Sequence, residues 1–207
     1  MIAKEGFPFI LITLIAFLIL LILPKGILLT ILIILLLLFI WFFRDPERDI
    51  PPYEDIVVSP ADGKVVEITE EEFDNKLFKK ISIFMNIFDV HVNRAPLDGE
   101  VVSVEHKPGK FLAADNPKSS FENEQNIIRI ATNYGEVVLK QVAGLVARRT
   151  VAYVKKGDKV LIGDRIGIIK FSSRVDLYLP TNFHINVELN DRVKAGETII
   201  ARYEKHD

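Results

Sequence analysis

The sequence predicts a mainly β fold of the α+β class, carried behind a short helical membrane anchor. Three observations lead to this prediction. Most of the apolar residues among the first 43 positions lie in two long runs. Beyond residue 44, apolar and polar residues alternate with a period of two between regularly spaced turn residues, which is typical of β-strands. Two sequence patterns in this second part also occur twice.

Residues 1–43 are predicted to anchor the chain in a membrane. The runs Phe7 to Leu23 and Ile27 to Phe43 hold 17 residues each, or about 25 Å of helix, slightly less than a hydrocarbon core of ~30 Å. Two antiparallel transmembrane helices with a turn at Pro24–Gly26 fit best. One tilted span or a re-entrant pair is the alternative. No small-residue cleavage site follows the first run, which argues against a signal peptide.

The charges beside the two runs predict their orientation. Lys4 precedes the first run, and Arg44 and Arg48 follow the second, whereas the turn between them holds one cation, Lys25. By the positive-inside rule, the N-terminus and residues 44–207 both lie on the cytoplasmic side of the cell membrane.

Composition excludes several classes of protein. The net charge of −2 gives no basic field for nucleic acid. The chain has no cysteine, which excludes disulfides, thiolate nucleophiles and zinc–thiolate sites. We expect no metal, because metal-ligand spacing is absent among the four histidines, His91, His106, His184 and His206.

Residues 44–207 are predicted to form one domain with a flattened β-barrel. PADGKVV at 60–66 matches PLDGEVV at 96–102, and each has an Asp-Gly turn that leads into a β-branched strand. A longer pattern of valine, Gly/Asn-Asp, glycine and isoleucine begins at Val154 and again 33 residues later at Val187. This spacing is typical of lipoyl and biotinyl carrier domains. Short helices are expected only near Glu70 to Leu77 and Gly144 to Thr150.

Ser172 and Ser173 lie between the two copies of the longer pattern, where packing does not require a pair of serines. Ser173 Oγ can attack the carbonyl of Ser172 and convert the peptide into an ester. Elimination then leaves dehydroalanine, and hydrolysis gives a pyruvoyl group at a new N-terminus. A polar strand step or a turn is the alternative interpretation of the pair.

The other candidate residues also have structural interpretations when each is taken alone. Asp62 fits a turn aspartate, and His91 fits a structural histidine between a strand and a proline. Four cations fit either a solvated surface or a site for a phosphate group: Lys107, Lys110, Arg148 and Arg149.

Eight segments nevertheless occur together across residues 40–203. They are FFRDPER at 42–48, SPADG at 59–63, FMN at 84–86, HVNRAP at 91–96, KPGKF at 107–111, ENE at 122–124, AGLVARR at 143–149 and FSSRVDLYLP at 171–180. In this order, they resemble the short, membrane-anchored branch of the phosphatidylserine decarboxylase family.

The resemblance implies an enzyme that converts a phosphatidylserine-type lipid into the ethanolamine lipid and CO₂. It implies self-cleavage between Ser172 and Ser173, after which Ser173 is a covalent pyruvoyl cofactor that forms a Schiff base with the substrate, so pyridoxal phosphate is not needed. Asp62 matches the aspartate associated with self-cleavage, and His91 matches the histidine implicated in decarboxylation. His184 is a weaker alternative as the general acid. Lys107, Lys110, Arg148 and Arg149 are candidate ligands of the substrate phosphodiester.

The implied partners are the lipid substrate, the bilayer, and the two chains of one precursor, residues 1–172 and 173–207. Pyruvoyl enzymes often associate, so a homo-oligomer is also compatible. Phosphatidylserine and archaetidylserine both fit as substrates. Two departures from the family are Ser172, where glycine is usual, and Arg94, where longer relatives have a second histidine that would help to activate Ser173.

Two rival interpretations come from other classes. One is a membrane-tethered, lipoyl-like carrier or adaptor without catalysis, which the repeated pattern alone would support. Such carriers display a modified lysine at a hairpin tip, whereas here a serine pair stands between the repeats. The other is a relative in which Ser172 has disabled maturation.

Overall fold

The computed structural model describes residues 1–21, 26–110, 122–144, 150–170 and 173–204. The chain forms two compact units, Met1–Glu47 and Arg48–Asp207.

The smaller unit is helical. Its elements are a 3₁₀ turn at Lys4–Gly6, helix α1 at Phe7–Leu20 and helix α2 at Gly26–Phe42. Pro8 lies in the first turn of α1, where its missing N–H removes no helical hydrogen bond. The helices contact each other through aromatic rings, because the Phe9 centroid lies 5.4 Å from those of both Phe39 and Phe43. A Cβ at Gly6 would lie 2.5 Å from Phe43 Cβ, so the close approach requires glycine.

α1 is shorter than the predicted run of 17 residues, and α2 equals it in length. α1 has 14 residues and α2 has 17, which correspond to about 21 and 25 Å. Among the described residues, the structure contains no helix of sufficient length and apolarity to span a membrane.

The larger unit is built from β-strands. The strands within its described residues are β1 (Ile56–Val58), β2 (Gly63–Phe73), β3 (Lys76–Met85), β4 (Val92–Arg94), β5 (Gly99–Lys107), β6 (Gln125–Thr132), β7 (Gly135–Ala143), β8 (Thr150–Ala152), β9 (Lys159–Val160), β10 (Arg165–Ile169), β11 (Ser173–Pro180), β12 (Phe183–Ile185), β13 (Arg192–Val193) and β14 (Ile199–Tyr203). The pairings between these strands are antiparallel.

The strands form one large sheet and two small ones. The eight-stranded sheet has the order β13-β2-β3-β11-β7-β6-β5-β9, and the small sheets have the orders β1-β14-β12 and β4-β10-β8. The predicted mainly β class is confirmed. The large sheet curls into a half-barrel, instead of the single flattened barrel that the repeats predicted. Because β11 lies in the middle of this sheet, its first residue, Ser173, stands between β3 and β7.

All three sheets contribute to one hydrophobic core. Side chains alternate along a strand, so Val175, Leu177 and Leu179 of β11 face the same side, and all three are buried in this core. From the two small sheets, Val57 of β1 and Ile169 of β10 are buried in the same core. Burial of each such side chain contributes about 1.5–3 kcal/mol.

The two duplicated patterns have matching conformations. Four equivalent turn positions have positive φ: Gly157 (90°), Asn190 (80°), Gly163 (85°) and Gly196 (77°). Each long repeat pairs with one short repeat, since the Asn190 N–H donates to the Val65 carbonyl and the Gly157 N–H donates to the Val101 carbonyl, both at 2.8 Å. The larger unit therefore contains an internal structural repeat.

The short helix expected near Glu70 to Leu77 is wrong. This segment is the hairpin between β2 and β3, and its two turn residues, Asp74 and Asn75, have φ of 51° and 59°. Consecutive positive φ angles characterise the turns that fit the twist of a hairpin. The other expected helix falls largely on residues 145–149, which lie outside the described residues.

Candidate active site

Ser173 is a buried serine at the head of the central strand. It pairs with Met85 of β3 on one side and with Ala143 of β7 on the other. Its side chain is fully buried, and its hydroxyl donates to the Met85 sulfur at 3.5 Å. A thioether is a weak acceptor, so this contact orients the hydroxyl without strongly polarising it. Ser172, the other half of the predicted scissile bond, lies outside the described residues.

A chain of amide side chains leads from this sulfur towards the surface. Asn93 Nδ2 lies 3.7 Å from Met85 Sδ, and Asn93 Oδ1 accepts from Gln141 Nε2 at 2.8 Å. Gln141 Oε1 accepts in turn from Asn126 Nδ2 at 3.2 Å. The chain ends at the exposed His106, whose Nδ1 lies 2.9 Å from Asn126 Oδ1. Sequence reasoning did not assign a role to these amides, although Asn93 lies within the HVNRAP segment.

His91 is buried beside the strand that leads to the serine pair. Its backbone carbonyl accepts from the Ile169 N–H at 3.3 Å, and Ile169 ends β10, the last strand before Ser173. His91 Nδ1 lies 2.9 Å from the Asp89 carbonyl. Because a carbonyl oxygen only accepts, this contact places a proton on Nδ1, and Nε2 of the neutral ring is then the basic nitrogen.

Asp62 is held by a cation and a backbone amide. Arg48 Nη2 donates to both carboxylate oxygens, at 2.8 and 2.9 Å, and the Ala195 N–H donates to Oδ1 at 2.8 Å. The next residue, Gly63, begins β2. In the register of the sheet, Gly63 lies beside Met85 of β3, and Met85 lies beside Ser173 of β11. At ~4.8 Å per strand spacing, Asp62 lies on the order of 10 Å from Ser173.

Of the four predicted phosphate ligands, the two lysines are described, whereas Arg148 and Arg149 lie outside the described residues. Lys107 is exposed, and its Nζ lies 3.8 Å from Glu105 Oε1. Lys110 is also exposed, at 2.9 Å from Glu122. Lys110 forms a β-bridge with Asn123, whose Nδ2 donates to the Ala143 carbonyl at 2.6 Å. Since Ala143 pairs with Ser173, the Lys110 backbone is connected to the serine through Asn123 and Ala143.

Two further residues from the sequence analysis have structural surroundings. Arg94 is buried, and its Nη1 donates to the Gly163 carbonyl at 2.8 Å. It thereby joins β4 to a turn of the longer repeat. His184 is exposed on β12, with Nδ1 3.5 Å from Glu204. Exposure makes His184 a poorer match than the buried His91 for an enclosed reaction.

A buried charge cluster lies on the opposite face of β11. Arg174 Nε donates to Asp176 at 2.5 Å, and its Nη2 donates to Glu67 at 2.5 Å and to the Ser82 hydroxyl at 2.9 Å. Burial alone would lower the pKa of Arg174, but the carboxylates of Asp176 and Glu67 outweigh it and raise that pKa. This cluster fixes the strand immediately after Ser173.

An acidic pocket of about 220 Å³ lies elsewhere on the larger unit, around Asp55 and Asp98. A hydrogen bond from Tyr134 to Asp55, at 2.6 Å, raises the pKa of Tyr134 to about 12, together with burial and neighbouring carboxylates. The lining residues do not include Ser173 or His91. The described part of the chain contains no group of three or more histidine, aspartate or glutamate side chains that could hold a metal ion.

Comparison with known proteins agrees with the motifs at this site. The family model described as phosphatidylserine decarboxylase matches residues 35–201. The phosphatidylserine decarboxylase proenzyme of Syntrophus aciditrophicus (strain SB) is 42% identical over 211 residues, which cover 98% of this chain and 97% of the relative. The proenzyme of the same description from Geotalea uraniireducens (strain Rf4) is 44% identical over 203 residues, or 96% and 95% of the two chains. The resemblance found in the sequence is confirmed, and the chain belongs to the phosphatidylserine decarboxylase family.

Proposed function

We propose that this chain decarboxylates phosphatidylserine-type lipids after cutting itself between Ser172 and Ser173. Family membership makes it a carboxy-lyase. The observation that carries the proposal is the position of Ser173. This serine is fully buried at the start of β11, and its hydroxyl donates to the Met85 sulfur. The printed description of both relatives as proenzymes supports a processed chain.

The proposed self-cleavage uses only atoms of the chain and one water. Ser173 Oγ attacks the carbonyl carbon of Ser172, and its proton passes to the amide nitrogen as the C–N bond breaks, which gives an ester. Loss of the α-proton of residue 173 then expels the Ser172 carboxylate and leaves dehydroalanine. Water hydrolyses the tautomeric imine, ammonia leaves, and residue 173 becomes a pyruvoyl group.

The surroundings of residue 173 fit such a group. A pyruvoyl group is small and uncharged, and the site is fully buried and lined by Met85 and Ala143. The chain after the cut stays anchored, since residues 173–178 pair on both sides, with β3 and with β7. When present, the group would bind the substrate amine and accept electron density released by loss of CO₂.

His91 is the proposed general acid that returns a proton to the substrate carbon. Its burial excludes bulk water, and a proton fixed on Nδ1 orients the ring, so that Nε2 carries the exchangeable proton. Asp62 is proposed to act in self-cleavage. At about two strand spacings from Ser173 it acts through intervening groups or water, because direct proton transfer needs hydrogen-bond distance.

The proposed phosphate ligands are Lys107, Lys110, Arg148 and Arg149. Among the two that are described, Lys110 has the stronger support, because its backbone bridges to Asn123 beside Ala143. Phosphatidylserine and archaetidylserine have the same headgroup, so these cations would bind either lipid.

We further propose that residues 1–43 hold the chain at the cell membrane with the larger unit on the cytoplasmic side. In support, α1 and α2 leave apolar side chains exposed, such as Ile12 at 67% and Ile27 at 83%. Lys4, Arg44 and Arg48 supply the positive-inside signal. Water does not favour such helices, whereas lipid would cover them.

An apolar tip on the larger unit would also meet the bilayer. We define it as Ile87 and Phe88, which precede His91, with Leu189 in a second turn. Arg192, in the strand after that turn, lies 3.1 Å from Asp89 and joins the two segments. Because the segment with Phe88 leads directly to His91, insertion of the tip would bring lipid headgroups close to the site.

The proposal is tested by CO₂ release from vesicles that contain phosphatidylserine with a labelled serine carboxyl. Purified protein should release labelled CO₂, and Ser173→Ala should not. A Ser173→Ala protein that still decarboxylates would disprove the role of Ser173. A wild-type protein that matures but releases CO₂ only from archaetidylserine would identify the ether lipid as the substrate.

A further inference from the structure

We propose that Met85, Asn93 and Gln141 form a positioning unit, called here the amide–sulfur unit, which sets the Ser173 hydroxyl for attack on the preceding peptide. This inference rests on the proposed self-cleavage at Ser173. The three residues come from β3, β4 and β7, and Met85 is the member that contacts the Ser173 hydroxyl.

All three members are completely buried, as is Ser173. Ser173 Oγ and Asn93 Nδ2 approach the same sulfur atom, at 3.5 and 3.7 Å. Gln141 Nε2 donates to Asn93 Oδ1 at 2.8 Å, which turns the Asn93 amide nitrogen towards Met85. A buried amide that is satisfied in this way has one orientation, because flipping it would bring two amide nitrogens face to face.

The amide–sulfur unit limits the flexibility of the Met85 side chain. A methionine side chain has three rotatable bonds and adapts readily to its surroundings, so Met85 alone would hold Ser173 loosely. The Asn93 N–H restrains the sulfur, and the sulfur restrains the hydroxyl. The hydroxyl donates its proton to the sulfur, so the lone pairs of Ser173 Oγ take no part in this contact and stay available for attack.

The neighbouring backbone is shaped around the same amide. Gly167 of β10 faces Gln141, and a Cβ at Gly167 would lie 2.5 Å from Gln141 Nε2. The glycine in β10, the strand before the serine pair, therefore leaves the space that the Gln141 amide occupies. Asn126 supports Gln141 from the other side at 3.2 Å.

The test compares maturation rates of the full-length chain by pulse-labelled synthesis and electrophoresis of the two products. Met85→Leu keeps the side-chain volume but removes the sulfur, and Gln141→Met keeps the length but removes the amide. We expect each to slow maturation about tenfold, the effect of a misplaced hydroxyl rotamer on the attack. Ile83→Leu, two residues from Met85 on the same face of β3, is the matched control and should mature at the wild-type rate.

Hydroxylamine separates positioning from simple loss of stability, because it cleaves esters but not peptides. If the unit acts on the attack, Met85→Leu should accumulate less hydroxylamine-sensitive precursor than wild type while its thermal midpoint stays close to that of Ile83→Leu. Should Met85→Leu not fold, Gln141→Met and Asn93→Ser decide the question by the same measurement.

The outcomes distinguish the two proposals. Wild-type maturation rates in Met85→Leu and Gln141→Met, with Ser173→Ala uncut, would overturn the positioning unit and leave the proposed function intact. Cutting of Ser173→Ala at the same bond would overturn the proposed function itself.

Discussion

Asp62 and Asp98 occupy equivalent places in the internal repeat, and each accepts a hydrogen bond from the opposite long repeat. Asp62 Oδ1 accepts from the Ala195 N–H at 2.8 Å, and Asp98 Oδ1 accepts from the Ile162 N–H at 2.6 Å. The two aspartates therefore share one structural role. Asp62 differs in that both of its carboxylate oxygens also accept from Arg48. It is the aspartate that we propose to act in self-cleavage.

This equivalence provides a matched pair of variants. Asp62→Asn and Asp98→Asn both keep an acceptor for the backbone N–H, so each should cost only about 1 kcal/mol of stability through that contact. We expect Asp62→Asn to remain an uncut precursor and Asp98→Asn to mature normally, as shown by electrophoresis. Equal maturation of both variants would mean that Asp62 has only the structural role.

His91 should separate maturation from catalysis. His91→Ala is expected to yield the two chains but to lose at least 100-fold in CO₂ release, the usual effect of removing a general acid. His184→Ala is the control, because His184 is exposed on β12 and should not change activity. If His184→Ala were the inactive variant, the assignment of the general acid to His91 would be wrong.

The apolar tip should matter only for substrate in a bilayer. Exchanging Ile87 and Phe88 for serine removes the burial of two large side chains in lipid, and each contributes about 1.5–3 kcal/mol. Activity on phosphatidylserine vesicles should fall at least about tenfold, whereas activity on detergent-dispersed substrate should not change. Leu161→Ser is the control, since Leu161 is 65% exposed but lies in a different turn. An equal loss in both assays would argue against membrane contact.

Tyr134 predicts a pH dependence at the alkaline limit. Its hydrogen bond to Asp55 raises its pKa from 10.0 to about 12 in the folded chain. The stabilisation is therefore complete below pH 10 and is lost as pH rises through 12, because the unfolded chain releases this proton first. The difference in thermal midpoint between wild type and Tyr134→Phe should shrink across this window. A constant difference from pH 9 to pH 12 would contradict the assigned shift.

Local patterns in the sequence predicted much of the site. The period of two and the Asp-Gly turns indicated the strands, and the serine pair was recognised from its polarity between apolar runs. The 33-residue repeat appears in the structure as equivalent turns at Gly163 and Gly196. His91 was recognised from its motif, and the structure places it beside β10.

Contacts between distant residues could not be predicted in this way. Gln141 and Asn93 are separated by 48 residues, and Arg48 and Asp62 are brought together only by the fold of the larger unit. The hairpin at Asp74 was not predicted, because pairing with β3 determines its conformation rather than a local pattern. The curl of the large sheet depends on its twist, which strand patterns do not encode.

The intact mass of the purified protein under denaturing conditions tests the proposed self-cleavage most directly. We expect two chains, separated between Ser172 and Ser173. The small chain, 35 residues long, should be about 17 Da lighter than the serine-headed peptide, because ammonia is lost when the pyruvoyl group forms. A single chain of 23.5 kDa, active on phosphatidylserine without any cut, would rule out the proposed self-cleavage.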